Sequence, residues 1–368
     1  MSGHGAWRVG VIGAGQLGRM MALAGYPLNI RCRFLDRDAD TPAGQVAPIT
    51  LGALDDAERI AALARDSDVL TFDWENVPAA ALRGARGAAP IRPPVRALSI
   101  SQDRLLEKRL FTRLGIPVAP HAPVDDYDDL VRAARHVGER GILKTRRLGY
   151  DGKGQALIRG PHELREAYDR LAGAPLIYER LMPFSLEVSL VAVRGTRGEI
   201  RFYPLTCNTH REGVLRLSMA PFAAPAIERR ARTYMRRVLE ALRYTGVLAI
   251  EFFVVGDRLI ANEMAPRVHN SGHWTIEGCP SSQFENHLRA ICGLPLGATN
   301  ALGHCAMINF VGTLPERAPL LRIEGLAFHD YGKQPRPGRK LGHCTILAAT
   351  ATARDRALRR ALAIAHLR

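Results

Sequence analysis

The sequence lacks the features of a membrane, secreted or zinc-binding protein. No window approaches about eighteen apolar residues in a row, so we expect no membrane-spanning helix and no membrane partner. Residues 1–7 lack the charged region, apolar stretch and cleavage site of a secretory signal. The six cysteines form no Cys-x-x-Cys pair, which argues against a zinc site or a disulfide framework. These absences predict a cytoplasmic protein with reduced, mostly buried thiols.

Lysine is scarce. Of the 51 basic residues only five are lysines, namely Lys108, Lys144, Lys153, Lys333 and Lys340. Because arginine's planar fork does not replace lysine's compact charge at a close phosphate contact, these lysines are worth inspecting, and three of them fall inside the motifs described below. The formal charge of +15 comes from basic residues dispersed among acidic ones, without an aromatic-interleaved basic patch. A basic chain can bind nucleic acid through its phosphates, but this dispersion favours anionic small substrates and no nucleic acid.

The chain opens with a βαβ pattern. A strand over residues 8–13 leads into a Gly-x-Gly-x-x-Gly turn at 13–18, a helix, and a second strand that ends at Asp36. This pattern is typical of a nicotinamide-binding domain, but nothing downstream demands a hydride-transfer acid or base. Glycines let the backbone approach any phosphate at a helix N-terminus, so we interpret the turn as a substrate-phosphate site. Tight packing without a ligand is the alternative.

Prolines mark the end of this first pattern. A helix over about 55–66 and a strand over 69–72 continue the doubly wound order, and Pro90, Pro93 and Pro94 then break it. Ser101 is predicted as the N-cap of a helix that ends at Gly115. The chain then becomes rich in strands, with helices at about 162–172, 226–243 and 281–292. Short strands and a helix rich in Ala and Arg are predicted near the C-terminus.

A second glycine-rich segment, residues 149–155, lies between two predicted strands. Its glycines permit close backbone approach, and Lys153 places a positive charge among free N–H groups, which suits a triphosphate. Lys144, at the end of the preceding strand, is placed to reach the same phosphates. The spacing is not that of a P-loop. We interpret the segment as a hairpin lid over ATP, with a flexible exposed turn as the alternative.

Two glutamates flank a predicted hairpin. Glu251 lies in an apolar strand, where a charge is costly to bury without a partner. A three-residue turn would place it opposite Glu263, whereas a two-residue turn would place it opposite Asn262. Facing carboxylates repel unless a cation lies between them, so they predict a Mg²⁺ site, with salt bridges to arginines as the alternative. The next segment offers Arg267 as a fork for phosphate and His269 as a proton carrier.

These motifs together resemble the N5-carboxyaminoimidazole ribonucleotide synthetases of the ATP-grasp superfamily. The resemblance spans nearly the whole chain, from the first glycine turn to a Pro-Gly-Arg-Lys-x-Gly-His loop at residues 337–343. Its most specific segment is residues 262–275, because other ATP-grasp ligases share Asn-Glu and Pro-Arg there but not His-Asn-Ser-Gly-His-Trp. One departure is Asp73, where the family usually carries the first glutamate of a Glu-x-Glu pair, whereas Glu75 is retained.

The resemblance implies an α/β architecture: an ATP-grasp fold with an N-terminal doubly wound (pre-ATP-grasp) βαβ domain and a small C-terminal α+β domain. The implied divisions are 1–98 for the substrate-phosphate-binding domain, 99–305 for the ATP-grasp domain with a lid at about 117–178, and 306–368 for the C-terminal domain. The resemblance further implies a homodimer with a functional link to the N5-carboxyaminoimidazole ribonucleotide mutase.

The resemblance also implies roles for individual residues. ATP binding is implied for Arg104, Lys144, Gly149, Tyr150, Asp151, Gly152, Lys153, Gly154, Gln155, Glu179, Arg180, Leu181, Met182, Glu187, His210, Asn262 and Glu263. Substrate binding is implied for Gly15, Gln16, Leu17, Glu75, Tyr150, Asn270, Ser271 and Lys340. Catalytic roles are implied for Asp151, Lys153, Arg267, His269 and Lys340. Glu251 and Glu263 would carry Mg²⁺, or Mn²⁺ in its place.

The implied activity is that of a carbon–nitrogen ligase of purine biosynthesis. It would use ATP and bicarbonate to carboxylate the 5-amino group of 5-aminoimidazole ribonucleotide, through carboxyphosphate, and would release ADP and phosphate. Asp151, His269 and Lys340 are the candidates for handling the proton of the amine. The alternatives are another ATP-grasp ribonucleotide ligase or transformylase, a biotin-type carboxylase, an NAD-dependent dehydrogenase, and a nucleic-acid binder.

Overall fold

The structure is a computed structural model that describes residues 6–85, 87–149 and 153–367. Within those ranges the chain forms three β-sheets. No helix in the same ranges is long and apolar enough to cross a membrane. Each sheet packs against helices through its own apolar clusters, and the sheets meet around one cleft.

The N-terminal part is a parallel sheet in the order β3-β2-β1-β4, which confirms the predicted doubly wound opening. Its elements are β1 (Trp7–Ile12), α1 (Gln16–Gly25), β2 (Ile30–Asp36), β3 (Ile49–Leu51), α2 (Ala57–Arg65) and β4 (Val69–Phe72). Parallel strands covered on both faces read as continuous apolar runs, and every residue of β4 is buried. Because the carboxyl ends of parallel strands share one edge, Gly13, Asp36 and Asp73 come together there.

Two short helices connect this sheet to the rest of the chain, α3 (Val95–Ser101) and α4 (Arg104–Arg113). The prediction that Ser101 caps the second helix is wrong. The N-cap is Asp103, whose carboxylate accepts hydrogen bonds from the backbone N–H of Leu105 at 3.0 Å and of Leu106 at 3.4 Å. The Ser101 hydroxyl instead donates to the carbonyl oxygen of Leu98 at the end of α3.

The second sheet is antiparallel, in the order β5-β8-β6-β7. Its elements are β5 (His121–Val124), α5 (Tyr127–Val137), β6 (Gly141–Thr145), β7 (Gln155–Ile158), α6 (Leu164–Leu171) and β8 (Leu176–Arg180). On α5 the buried residues recur with helical spacing at Leu130, Ala133, Ala134 and Val137. The strands β6 and β7 form the predicted hairpin around the second glycine-rich segment.

The third sheet has nine antiparallel strands, with the main order β14-β13-β9-β11-β12-β15-β17-β16 and β10 paired to β9. Its central elements are β9 (Leu186–Arg194), β10 (Ile200–Phe202), β11 (Thr206–Arg211), β12 (Val214–Ala220), α7 (Pro225–Ala241), β13 (Gly246–Val255), β14 (Arg258–Ala265), α8 (Thr275–Gly278) and α9 (Gln283–Ile291). The C-terminal elements are β15 (His304–Val311), α10 (Arg317–Leu321), β16 (Leu326–Asp330), β17 (Lys340–Ala348) and α11 (Ala351–Ile364).

The C-terminal strands extend the central sheet, because β15 pairs with β12. This pairing places the start of β17 beside the end of β14, at the cleft. The divisions at residues 98 and 305 stay predictions.

Candidate active site

The three sheets enclose a cavity of about 650 Å³. Its wall is formed by the first glycine turn, the start of α4, the loop after β6, the end of β14 and the loop before β17. The predicted site residues that line it are Gly15, Gln16, Leu17, Glu75, Arg104, Gly149, Lys153, Glu263, Arg267, His269, Asn270 and Lys340. The structure therefore brings together residues that are up to about three hundred positions apart in the chain.

The first glycine turn is occupied by carboxylates of the chain itself. The backbone N–H of Ala14 donates to Asp36 at 2.7 Å, and that of Gly18 donates to Asp73 at 3.1 Å. A Cβ added at Gly15 would lie 2.9 Å from Asp73, so glycine is required by this close approach. Burial raises the pKa of Asp73. Asp36, the residue that would bind a ribose in a dehydrogenase, is thus used to hold the turn, and the dinucleotide interpretation gains no support.

The cavity beside the turn is rich in cations. Lys333 donates a hydrogen bond to the side-chain oxygen of Gln16, and Arg336 lines the same wall. Arg267 forms an ion pair with Glu75 across the cavity and donates to the carbonyl oxygen of Val268 at 2.9 Å. Lys333 and Arg336 were not predicted as site residues. The scarcity of lysine was a signal for Lys333, whereas nothing in the sequence distinguished Arg336 from the other arginines.

The two glutamates of the hairpin face each other through a β-bulge. The turn has two residues, since Val255 pairs with Arg258, and this alone would place Glu251 opposite Asn262. A register shift next to Glu251 moves the pairing by one residue, so Glu251 lies opposite Glu263. Of the two pairings that the sequence left open, Glu251 opposite Glu263 is the one found, and a bulge at Asn262 produces it rather than a three-residue turn.

The electrostatics of this pair are unequal. Burial raises the pKa of Glu251 to about 7, and the charges of Glu263 and Glu187 act in the same direction. Glu263 is held by Arg104 at 3.1 Å, and although burial opposes it, the charges of Arg104 and Lys144 lower the pKa of Glu263. A divalent cation bound here would relieve the repulsion between Glu251 and its acidic neighbours Glu263 and Glu187. Carboxylate oxygens are suitable ligands for Mg²⁺. In the described ranges no group of three or more His, Cys, Asp or Glu side chains is arranged to hold a metal by itself.

A histidine connects this pair with the neighbouring strands. His210 Nδ1 lies 3.1 Å from Glu187 and its Nε2 lies 3.9 Å from Glu251. Burial acts to lower the pKa of His210, but the hydrogen bond with Glu187 and the charge of Glu251 together raise it. The predicted ATP residues Glu187 and His210 therefore lie beside the predicted metal residues.

The opposite end of the cleft contains a buried cluster of charges. Glu179 accepts from Lys144 at 3.2 Å and forms an ion pair with Lys108 at 3.0 Å, and Glu179 and Lys108 are almost fully buried. Burial opposes ionisation, but the charges of Lys108, Lys144 and Arg104 lower the pKa of Glu179 to about 2. The second oxygen of Glu179, Oε1, is buried and has no hydrogen-bond donor among the residues that the structure describes. Lys108 was not predicted as a site residue.

The remaining predicted ATP residues surround this cluster. The N–H of Leu181 donates to the carbonyl oxygen of Arg140 at 3.0 Å, and the N–H of Arg180 donates to that of Pro120 at 2.9 Å. Met182 follows directly in the chain. Gly154 and Gln155 enter β7, where Gln155 pairs with Lys144. Tyr150, Asp151 and Gly152, predicted as nucleotide and substrate residues, lie outside the described residues.

One polar face of α4 holds these parts together. Arg104 binds Glu263, Glu107 accepts from the N–H of Met264 at 2.7 Å, and Lys108 binds Glu179. These three positions follow the i, i+3, i+4 spacing of one helix face. At the start of the same helix Asp103 accepts from Arg146 at 2.7 Å, which anchors the loop that leads to the second glycine-rich segment.

His269 is held both by its main chain and by its ring. Gln283 accepts from the His269 N–H at 2.9 Å and donates to the His269 carbonyl oxygen at 2.6 Å. Burial, together with the positive charge of Arg267, lowers the pKa of His269 to about 3. Asn270 lines the cavity, and neither polar atom of its buried amide has a partner within the described ranges. Ser271 lies behind His269 and is fully buried, so its role as a substrate contact stays a prediction.

Comparison with known protein families covers most of the chain. Residues 7–102 match the ribonucleotide synthetase preATP-grasp domain, and residues 109–284 match the ATP-grasp domain. Residues 305–357 match the phosphoribosylaminoimidazole carboxylase C-terminal domain. These matches agree with an ATP-grasp fold carrying an additional domain at each end.

The matches to individual relatives extend over nearly the whole length of both chains. The N5-carboxyaminoimidazole ribonucleotide synthase of Pseudomonas aeruginosa is 48% identical over 342 residues, which are 93% of this chain and 95% of the relative. The crystal structure of the corresponding synthetase from Thermus thermophilus superposes with a TM-score of 0.93 at 49% identity, covering 97% of this chain and 98% of that one. A synthase from Aspergillus clavatus, solved with ADP and 5-aminoimidazole ribonucleotide, superposes with a TM-score of 0.90 at 29% identity, covering 98% and 99% of the two chains.

Proposed function

The chain belongs to the family of N5-carboxyaminoimidazole ribonucleotide synthases, and from this premise we propose how its cleft carries out the reaction. It is an ATP-dependent ligase that carboxylates aminoimidazole ribonucleotide in purine biosynthesis. In our scheme bicarbonate attacks the γ-phosphate of ATP, which gives carboxyphosphate and ADP. Carboxyphosphate then breaks into CO₂ and phosphate. The 5-amino nitrogen adds to CO₂ and loses a proton, which gives N5-carboxyaminoimidazole ribonucleotide.

The observation that carries this scheme is the position of the facing glutamates. Glu251 and Glu263 lie between the buried cluster at Glu179 and the cation-lined cavity at Lys340. A nucleotide and an anionic acceptor bound at the two ends would therefore meet at the carboxylate pair. This arrangement supports transfer between two substrates, whereas a nucleotide hydrolase would need only the first end.

We propose Mg²⁺ between Glu251 and Glu263, with Mn²⁺ as a substitute. The donors fit, because both are hard oxygens and the raised pKa of Glu251 reflects a buried carboxylate whose neighbours Glu263 and Glu187 are also acidic. When bound, the metal ion would neutralise charge on the phosphates during transfer. Two neighbouring residues position the carboxylates of this site. Arg104 holds Glu263 in place, and His210 holds Glu187 beside Glu251.

At the nucleotide end we assign the adenine and the phosphates to different partners. The unpartnered Oε1 of Glu179 is, within the described ranges, an open acceptor that suits the amino group of adenine. Lys144 extends towards the same carboxylate at 3.2 Å and supplies a positive charge for the phosphates. The ion pair with Lys108 keeps Glu179 ionised when Lys144 turns to a nucleotide.

At the other end we assign the ribonucleotide to the cavity. Its phosphate would lie near the first glycine turn, where Lys333 and Arg336 add positive charge. Arg267 and Glu75 form a pair that can orient the ribose or the base. Because burial and the charge of Arg267 lower the pKa of His269 to about 3, its imidazole is a weak base, and we expect the proton of the amine to leave through Asp151 or Lys340 instead.

Three further assignments rest on the family resemblance. We propose a homodimer, a functional link to the mutase that uses the carboxylated product, and a cytoplasmic location where purine synthesis takes place.

The experiment is phosphate release from ATP with Mg²⁺ and bicarbonate, with and without aminoimidazole ribonucleotide. We expect release to rise sharply with the ribonucleotide, together with an acid-labile carboxylated product. Glu263→Gln should abolish most of this release, because it removes one of the facing carboxylates. Glu285→Gln is the matched control, since Glu285 pairs with Arg289 at 2.8 Å away from the cleft. Hydrolysis indifferent to the ribonucleotide would mean a different acceptor, and no hydrolysis would contradict the scheme.

A further inference from the structure

A row of buried polar side chains crosses the central sheet behind His269. Ser218 on β12, Asn208 on β11 and Ser189 on β9 have neighbouring side chains, and Ser271 lies next to Ser189. All four are almost fully buried, in a sheet whose other inward residues are largely apolar. The distances are 2.7 Å from Ser218 to Asn208, 2.9 Å from Asn208 to Ser189 and 2.8 Å from Ser189 to Ser271. We call these four side chains the polar relay.

The relay ends on one nitrogen of His269. The Ser271 hydroxyl oxygen lies 2.9 Å from His269 Nδ1, and the backbone N–H of Ser271 donates to the same nitrogen at 3.3 Å. A backbone N–H can only donate, so Nδ1 accepts and carries no proton. The Ser271 hydroxyl must therefore also donate to Nδ1.

This end condition fixes the direction of every bond in the relay. Ser271 has used its proton on His269, so its oxygen accepts from the hydroxyl of Ser189. Ser189 has then used its own proton and accepts from the amide nitrogen of Asn208. The amide oxygen of Asn208 accepts from the hydroxyl of Ser218. Each group donates towards His269 and accepts from the side away from it, so the relay is fully satisfied in one direction.

With Nδ1 unprotonated, the imidazole carries its single proton on Nε2. That nitrogen faces the cleft, 3.7 Å from the nearer oxygen of Glu251. The backbone of His269 cannot shift to change this, because Gln283 binds both its N–H and its carbonyl oxygen. The backbone N–H of Ser271 and the relay together hold this tautomer, and Gln283 sets the position of the ring.

We propose that His269 is a fixed hydrogen-bond donor through Nε2, and that the polar relay consists of positioning residues that hold this tautomer. On the carboxylation scheme proposed above, Nε2–H donates to an oxygen of bicarbonate or carboxyphosphate, where negative charge is greatest. A nitrogen that already bears a proton cannot accept one from the amine. Of the three candidates for the proton of the amine, His269 is therefore assigned to charge stabilisation.

The first test reads the tautomer directly in the full chain without substrates. Long-range proton–nitrogen correlation spectra of protein labelled with nitrogen-15 histidine distinguish a protonated ring nitrogen from an unprotonated one. The signals missing in His269→Gln identify His269. We expect a protonated Nε2 and an unprotonated Nδ1, and a protonated Nδ1 would overturn the proposal. This result does not depend on activity, so it can fail or hold separately from the proposed function.

The second test reverses the relay. In Asn208→Asp, read at a pH high enough to ionise the introduced carboxyl, a carboxylate replaces the amide donor. Ser189 then donates to this carboxylate, Ser271 donates to Ser189, and His269 is driven to donate through Nδ1. We expect the tautomer to invert and kcat for carboxylation to fall by on the order of 10²-fold, as when an oxyanion donor is lost. Ser189→Ala removes one member but leaves Ser271 able to donate, so the tautomer should persist with a smaller loss.

The matched control is Asn309→Asp, which also buries a carboxylate in place of an amide donor in the central sheet. Asn309 donates to the carbonyl oxygen of Leu215 at 3.0 Å, and within the described residues it forms no hydrogen bond with a member of the relay. We expect a similar loss of thermal stability without a change of tautomer. An unchanged tautomer in folded Asn208→Asp, at a pH where the introduced carboxyl is ionised, would overturn the proposal, as would inversion in the control.

Discussion

The ion pair between Lys108 and Glu179 offers the sharpest quantitative test of the nucleotide end. Lys108 is 1% exposed and Glu179 is 4% exposed, with 3.0 Å between the charged atoms. The neighbouring cations lower the pKa of Glu179 from 4.5 to about 2, which corresponds to about 3 kcal/mol of stability. Because the pKa is depressed, this stability is present above pH 4.5 and is lost as the pH falls towards 2.

Lys108→Met removes the largest of the charges that keep Glu179 ionised. Breaking a buried pair typically costs about 3–5 kcal/mol, but Lys144 remains 3.2 Å from the carboxylate, so we expect about 2–3 kcal/mol. Lys144 is then needed by Glu179 and is less available to phosphate. Losing one charge-assisted hydrogen bond, at about 1.5–3 kcal/mol, should weaken ATP binding roughly 10- to 100-fold.

The assays are urea unfolding for stability and calorimetry for ATP binding. The control is the double variant Lys108→Met with Glu179→Gln, in which no buried charge is left without its partner. A coupling energy of about 2 kcal/mol in the double-mutant cycle is expected. Coupling below about 0.5 kcal/mol, or unchanged ATP affinity in Lys108→Met, would refute the reasoning.

Three further predictions test other parts of the site. Asp103→Ala should destabilise the protein by about 1–2 kcal/mol in urea unfolding, because it removes the N-cap of α4 and the anchor of Arg146; an effect below about 0.3 kcal/mol would contradict this. Burial raises the pKa of Glu107 from 4.5 to about 8, so the folded protein loses stability as the pH rises from 4.5, where the unfolded chain ionises, to about 8, where the folded protein ionises as well. Glu107→Gln should therefore gain relative stability at pH 9 compared with pH 6. If Glu107→Gln changed the free energy of unfolding by the same amount at pH 6 and pH 9, this prediction would be wrong. Lys340→Ala should reduce carboxylation more than nucleotide affinity, and equal losses in kinetics and calorimetry would argue against its place at the ribonucleotide.

Much of the fold could be predicted from local patterns. The apolar strands and the glycine turn of the first sheet indicated a doubly wound arrangement, because parallel strands covered by helices have few alternatives. In contrast, β11 and β12 were not predicted. Asn208 and His210 interrupt the apolar alternation of β11, and both are there for the site rather than for the core. In this chain, β11 was hard to predict from the sequence because it carries polar residues of the site.

The site was predictable as a set of residue types but not in its detailed pairings. Ser101 and Asp103 are both good capping residues, and only the contact of Asp103 with Arg146 selects between them. The sequence likewise could not decide whether Glu251 faces Glu263 or Asn262, because a bulge depends on how β13 fits between two neighbouring strands. Both choices are made by contacts between distant segments.

The scarcity of lysine pointed to residues of the cleft that no motif contained. All five lysines lie at the cleft: Lys108 and Lys144 bind Glu179, while Lys153, Lys333 and Lys340 line the cavity. Motifs identified only Lys144, Lys153 and Lys340. In a chain that otherwise uses arginine, a lysine remains where a compact charge must fit against a buried carboxylate or a small anion, and a guanidinium is too wide for that position. Composition and motif are therefore independent signals, and Lys108 and Lys333 are the residues that only composition indicated.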